Sequence, residues 1–62
     1  MNLWVKVWYG TEIHEWICDE GVANKAAALT LVNGYMSNGI EHITSAASYW
    51  HPAQFIIGFR LD

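Results

Sequence analysis

Three histidines and one cysteine, His14, Cys18, His42 and His51, are the side chains of this 62-residue chain best suited to metal or nucleophilic chemistry. Imidazole and thiolate groups are the usual zinc ligands, and a site needs them at short spacings or gathered by the fold. His14 and Cys18 fall on one face of one strand but four residues apart, about 13 Å at the rise of a strand. One ion cannot bridge that distance. No close-spaced ligand pair occurs elsewhere, so no metal is expected, and His14 opposite Val7 reads as a packed core residue.

Covalent catalysis fares no better. A reactive thiol needs a cation or a helix N-terminus to stabilise the thiolate, and neither stands near Cys18, which reads as a buried, inert residue. Ser45 and Ser48 lie close to His42, yet no strand–turn–helix elbow surrounds them. Asp19 and Glu20 are adjacent carboxylates in a loop, where they keep the loop hydrated and favour the start of the following helix. Gly10, Gly21, Gly34, Gly39 and Gly58 are too scattered for a phosphate-cradling loop. The reading is a protein that is not an enzyme and carries no cofactor.

The charge balance narrows the partners. Lys6, Lys25 and Arg60 are the only strong cations against six carboxylates, a formal net charge of −3. Neutralising nucleic-acid phosphates takes several Lys or Arg, so direct nucleic-acid binding is not expected even though sheet aromatics can stack on bases. The excess acid mainly serves solubility; acidic groups around residues 10–20 would also steer the chain toward a basic surface. No run of about 18 apolar residues is present, so no membrane span is expected. The first residues, Met1-Asn2-Leu3-Trp4-Val5-Lys6, alternate in polarity and do not resemble a secretory leader. A single cysteine excludes an internal disulfide, and a reducing, cytoplasmic setting is expected.

The elements that would position a site follow from periodicity. Leu3, Val5 and Val7 alternate with Trp4, Lys6 and Trp8, the period-two pattern of a strand. Gly10-Thr11 has glycine first, as in a type II′ hairpin turn, and residues 12–18 return. The register then pairs Tyr9 with Glu12, Trp8 with Ile13, Lys6 with Glu15 and Trp4 with Ile17, and on the other face Val7 with His14, Val5 with Trp16 and Leu3 with Cys18. Residues 22–38 read as a helix capped by Asn24, with Leu29, Val32 and Met36 on the core stripe beside Ala28 and Tyr35. Gly34 leaves room for close approach to the sheet. Asn38-Gly39 stops the helix in the left-handed manner, with Ile40 folding back on the last turn. Residues 41–50 and 54–61 read as a second hairpin turning at His51-Pro52-Ala53-Gln54. Its pairs are Trp50–Phe55, Ser48–Ile57, Ala46–Phe59 and Thr44–Leu61 on the helix side, and Tyr49–Ile56, Ala47–Gly58 and Ser45–Arg60 on the other. The fold class is therefore α+β: a single ββαββ domain over residues 1–62, with a four-stranded antiparallel sheet and one helix packed on one face. A right-handed crossover gives the strand order 2-1-3-4, with 2-1-4-3 as its rival.

One helix leaves the other face of such a sheet open. That face would carry Trp4, Trp8, Ile13, Ile17, Tyr49 and Ile56, with Lys6, Glu15 and Arg60 as its only charges. Hydrophobic residues make up 53% of the chain and charged residues only 15%, against an average of about 25% charged. Contiguous exposed apolar patches mark interaction surfaces, and Trp, Tyr and Arg are enriched at binding hot spots. These nine residues are the expected partner-binding site. The function that follows is a small acidic protein-binding module, an adaptor or inhibitor that occludes a surface of a larger protein. Small phage and mobile-element proteins that block host machinery have this compact, acidic form. A homodimer through the same face is expected to relieve the marginal stability of so short a chain. The alternative is a small-ligand or nucleotide-binding homodimer, with its pocket between the aromatic face and a second subunit.

Overall fold

Leu3, Val5 and Val7 are the three most completely buried large side chains, and they define the centre of the fold. They lie on strand β1 (Leu3–Tyr9), flanked by β2 (Glu12–Asp19) and by the last strand of the chain. A computed structural model describes residues 1–62. Gly10 turns β1 into β2 at φ 64°, while Thr11 keeps a negative φ, as a type II′ turn requires. The register from Trp4–Ile17 to Tyr9–Glu12 is the one read from the sequence. At the open end a bulge replaces the expected Leu3–Cys18 pair with Leu3–Asp19.

After β2 the chain enters helix α1 (Lys25–Asn38), where Asn24 Oδ1 accepts the Ala27 amide at 2.9 Å. The helix starts three residues later than the expected 22. Its buried stripe is Ala28, Leu31, Val32 and Tyr35 rather than Leu29, Val32 and Met36; Leu29 and Met36 are exposed. Tyr35 sets this rotation. Its hydroxyl donates to Asp19 Oδ2 at 2.5 Å, and its ring stacks on Phe59 with centroids 6.0 Å apart. Gly34 meets nothing within 4 Å of where a Cβ would stand, so it makes no close approach.

The helix ends at Gly39, whose φ of 91° carries an extended ψ of −177° rather than the left-handed one expected. A Cβ there would sit 2.7 Å from the His51 carbonyl oxygen and 2.8 Å from the Trp50 ring, so only glycine lets the chain pass. Beyond it the sequence expectation fails. Residues 41–50 are not one strand. They form β3 (Ile40–Ile43) and β4 (Ser48–His51), paired with each other as Ile40–His51, Glu41–Trp50, His42–Tyr49 and Ile43–Ser48. Thr44 makes the reversal: its Oγ1 accepts from the Ala47 amide (3.1 Å), and its amide donates to the Ala47 carbonyl (2.8 Å). Such a hydroxyl-stabilised turn needs no glycine or proline.

Pro52 and a short 3-10 turn over Ala53–Phe55 then lead into β5 (Ile56–Leu61), which pairs antiparallel with β1 through Leu3–Leu61, Trp4–Arg60, Val5–Phe59, Lys6–Gly58 and Val7–Ile56. None of the pairs expected between residues 44–50 and 55–61 forms. The fold class is α+β with one helix and antiparallel sheets, but as a three-stranded sheet β2-β1-β5 and a separate two-stranded β3-β4. The single four-stranded sheet, in either order, is corrected accordingly. The last strand does lie beside the first, as in the rival order. The inner face of the main sheet is shared by two covers. Helix α1 lies over Leu3, with Val22 and Ala28. The β3–β4 hairpin lies over Val5 and Val7, inserting Ile40 beside Ile56.

Candidate functional site

The outer face of the three-stranded sheet is open, as periodicity demands. It is built in rows across the strands. Trp8 and Ile13 form the first row, 58% and 62% exposed. Lys6, Glu15 and the bare backbone of Gly58 form the second, and Ile17, Trp4 and Arg60 the third. The Arg60 guanidinium lies 4.2 Å from the Trp4 ring centroid, and its Nε reaches Glu15 Oε2 at 3.4 Å. Trp4 Nε1 donates to Asp62 Oδ2 at 3.0 Å, and Trp8 Nε1 to the Gly10 carbonyl. The indole donors are thus satisfied internally while the rings stay accessible. Glu15 bonds Arg60 rather than Lys6, and Lys6 makes no ion pair.

Seven of the nine expected site residues share this face: Trp4, Lys6, Trp8, Ile13, Glu15, Ile17 and Arg60. The other two do not. Ile56 faces inward, buried against Val5, Val7 and Ile40, because a bulge between Lys6 and Val7 shifts the β1–β5 register. Tyr49 stands on β4 against Tyr9, with ring centroids 5.6 Å apart. Tyr49 leaves the outer face because the second hairpin turns at residues 44–47, not at 51–54, whereas Ile56 turns inward at the bulge alone. The turn at 44–47 also brings out two aromatics. Trp50 and Phe55, expected beneath the helix, are exposed, Trp50 by 61%. With Trp8, Tyr9 and Pro52 they line a cleft of about 470 Å³ that extends the open face at its Trp8 end.

On the inner side the hairpin brings together His14, His42 and His51, which are far apart in sequence. His42 stacks on Trp16, with centroids 3.8 Å apart and planes 10° from parallel. His42 lies 6.5 Å from His14 and 6.4 Å from His51 between ring centroids. The signal was the register itself: with a turn at 44–47, His42 and His51 fall on the same face of the hairpin as Ile40. No group of three or more His, Cys, Asp or Glu side chains is disposed to hold a metal ion. Desolvation, and then the neighbouring imidazoles, lower the basicity of His42 and of His51.

Cys18 lies partly buried between sheet and helix, its thiol 3.4 Å from the Leu3 carbonyl. Burial, reinforced by Asp19, pushes the thiol up to about 12. That is the opposite of an activated nucleophile. Five of the six carboxylates have a partner within the chain: Glu12 with His14, Glu15 with Arg60, Asp19 with Tyr35, Glu41 with Ser48 and Asp62 with Trp4. The acid excess is therefore spread over the molecule as local pairs. No helix is long and apolar enough to cross a membrane. Comparison with protein-family models, with curated proteins and with solved structures finds no match to this chain.

Proposed function

We propose that this chain is a non-enzymatic protein-binding module, an adaptor or inhibitor whose contact surface is the open face of the β2-β1-β5 sheet together with the adjoining Trp8–Trp50–Phe55 cleft. The observation that carries the reading is the exposure of Trp8 and Ile13 on the open face, with Trp50 exposed in the cleft that Trp8 also lines. Exposed aromatics around a small number of charges are the composition of binding hot spots. The molecule measures 32 × 24 × 16 Å, so its broad side is comparable with the roughly 800 Å² that each partner contributes to a standard interface.

A second copy of the chain is the first occupant to test. Unpaired Lys6 and accessible Glu15 share the middle row, so a two-fold axis through that row sets each against the other across the interface. The Trp8–Ile13 row lies on one side and the Ile17–Trp4–Arg60 row on the other. Two sheets packed face to face about 10 Å apart are a standard arrangement. Sedimentation of the wild type at micromolar concentration and of Trp8→Glu tests it: a dimer is expected, and the variant should be monomeric. A wild-type monomer removes the second copy and leaves a larger heterologous protein as the occupant. In that case capture from lysates should yield a stoichiometric partner that Trp8→Glu loses. A monomer that captures nothing through Trp8 refutes the binding module. The rival reading, a small-ligand or nucleotide-binding protein, is favoured by a groove of about 640 Å³ between α1, β2 and β3, lined by Trp16, Leu31, Tyr35 and Trp50 among others. Ligand pockets are commonly about 300–1,000 Å³. A thermal-shift screen separates the readings, since a ligand at 100-fold its Kd adds about 2.7 kcal/mol.

A further inference from the structure

The three histidines converge on the seam between the two hairpins. We propose that His14, His42 and His51 form an acid-sensitive latch: neutral, they let the β3–β4 hairpin close over the main sheet; protonated, they drive it off and uncover Trp16 and Tyr9. The inference is independent of what binds the outer face.

The geometry restricts the hairpin's attachment to side chains. Strands β3 and β4 share no ladder with β2-β1-β5. The hairpin is held instead by its inward face, which carries Ile40, His42, Tyr49 and His51, while Ile43 and Trp50 point out. His42 packs flat on Trp16 of β2. Tyr9 of β1 touches His14, Tyr49 and His51, with ring centroids 5.2, 5.6 and 5.3 Å away. His51 is 4% exposed. The small cavity among these rings, about 220 Å³, is lined by Tyr9, His14, His42, Thr44, Tyr49 and His51.

The charges that face the seam can be named element by element. From β1 comes the phenol of Tyr9, and from β4 the phenol of Tyr49. From β2 come His14 and Glu12, whose Oε2 lies 3.0 Å from His14 Nε2. Glu41 of β3 is on the outward face and bonds Ser48 at 2.5 Å. Helix α1 presents no charged side chain to the cavity, and no lysine or arginine lines it. A carboxylate is therefore available to His14 alone. A proton on His42 or His51 meets low polarity and neighbouring imidazoles without a counterion.

The sign follows. Both His42 and His51 are less basic folded than unfolded, so the closed state binds fewer protons than the open one. Closure is fully favoured above the ordinary histidine value of about 6.5 and weakens as pH falls below it. Each such histidine changes the opening equilibrium by up to about tenfold per pH unit until its folded value is reached.

Amide hydrogen exchange of the full chain at pH 7.0 and 5.5, corrected for intrinsic exchange rates, tests the latch. Protection of the β3–β4 amides should fall by about tenfold or more, while that of the β1–β2 amides falls less. His42→Phe keeps a flat ring on Trp16 and removes one titrating group, so it should shrink the selective fall. His14→Gln, at a position whose side chain is 36% exposed, should do the same. Equal loss in all strands, no loss, or a selective fall unchanged in both variants overturns the proposal.

Discussion

Ile40 and Ile43 are the same residue type on one short strand, and the structure gives them opposite fates. Ile40 is 2% exposed in the core with Val5, Val7 and Ile56; Ile43 is 72% exposed. Replacing each by Ala therefore measures whether the β3–β4 hairpin docks as described. Truncating a buried isoleucine to Ala costs about 2–5 kcal/mol, from lost transfer energy plus the cavity left behind. Loss of β-propensity, up to about 1 kcal/mol, is common to both sites and drops out of their difference. Ile43→Ala should otherwise lie within about 0.5 kcal/mol of wild type. The expected gap is at least about 2 kcal/mol. A chain of this length has roughly 3–9 kcal/mol of total stability, so the gap is large on that scale. Urea unfolding followed by far-UV circular dichroism at pH 7.5 reads it. If Ile40→Ala lacks a folded baseline, Ile40→Val, expected to cost about 0.5–1.5 kcal/mol, takes its place against Ile43→Val. Equal costs at the two positions would refute the inward placement of Ile40, and with it the docking of the hairpin on the sheet.

Two further outcomes concern the seam between helix and sheet. Tyr35→Phe removes a hydrogen bond to the Asp19 carboxylate; bonds to charged acceptors contribute about 1.5–3 kcal/mol, and partial exposure lowers the expectation to about 1–2, read from the urea midpoint. An unchanged midpoint would show that this bond does not set the rotation of the helix. Cys18 is held protonated in the folded chain up to about 12, against an ordinary value of 9.0, first by burial and then by Asp19. Its contribution to stability is thus fully present below pH 9 and is lost as pH rises toward 12. Chemical denaturation of freshly reduced protein at pH 8, 9 and 10 should show declining stability in the wild type and a flatter profile in Cys18→Ala, with no effect of that substitution on partner binding at pH 7.

The first hairpin was legible because three signals agree on it. Valine alternation fixes its faces, Gly10 fixes its turn, and the turn fixes its register. Trp8–Ile13, Lys6–Glu15 and Trp4–Ile17 follow from counting alone, and they hold in the structure. The helix was legible in existence and cap, since Asn24 bonds the Ala27 amide, but not in rotation. Leu29 and Met36 are as apolar as the residues that are buried. What turns the helix is Tyr35, through long-range contacts with Asp19 and Phe59, and no local pattern carries that.

The second half failed at one choice, and the consequences show what a sequence leaves open. His51-Pro52-Ala53-Gln54 has the stronger turn composition and Thr44-Ser45-Ala46-Ala47 the weaker, yet the chain reverses at the weaker one. The deciding contacts are tertiary. Gly39 passes beneath the His51 carbonyl and the Trp50 ring, where no side chain fits, and so requires the chain to come back over residue 39. Ile40 can then enter the core only if β4 lies beside β3. Once that pairing is made, Tyr49 leaves the outer face, and Trp50 and Phe55 emerge beside Trp8, while Ile56 enters the core through the bulge between Lys6 and Val7. The same pairing brings His42 and His51 to Trp16 and His14. The outer surface and the histidine seam are thus two results of one turn. A perturbation that opens the β3–β4 hairpin should reshape the Trp8–Trp50–Phe55 cleft, while leaving the Trp4–Ile17 row, held by β1, β2 and β5 alone, as it is.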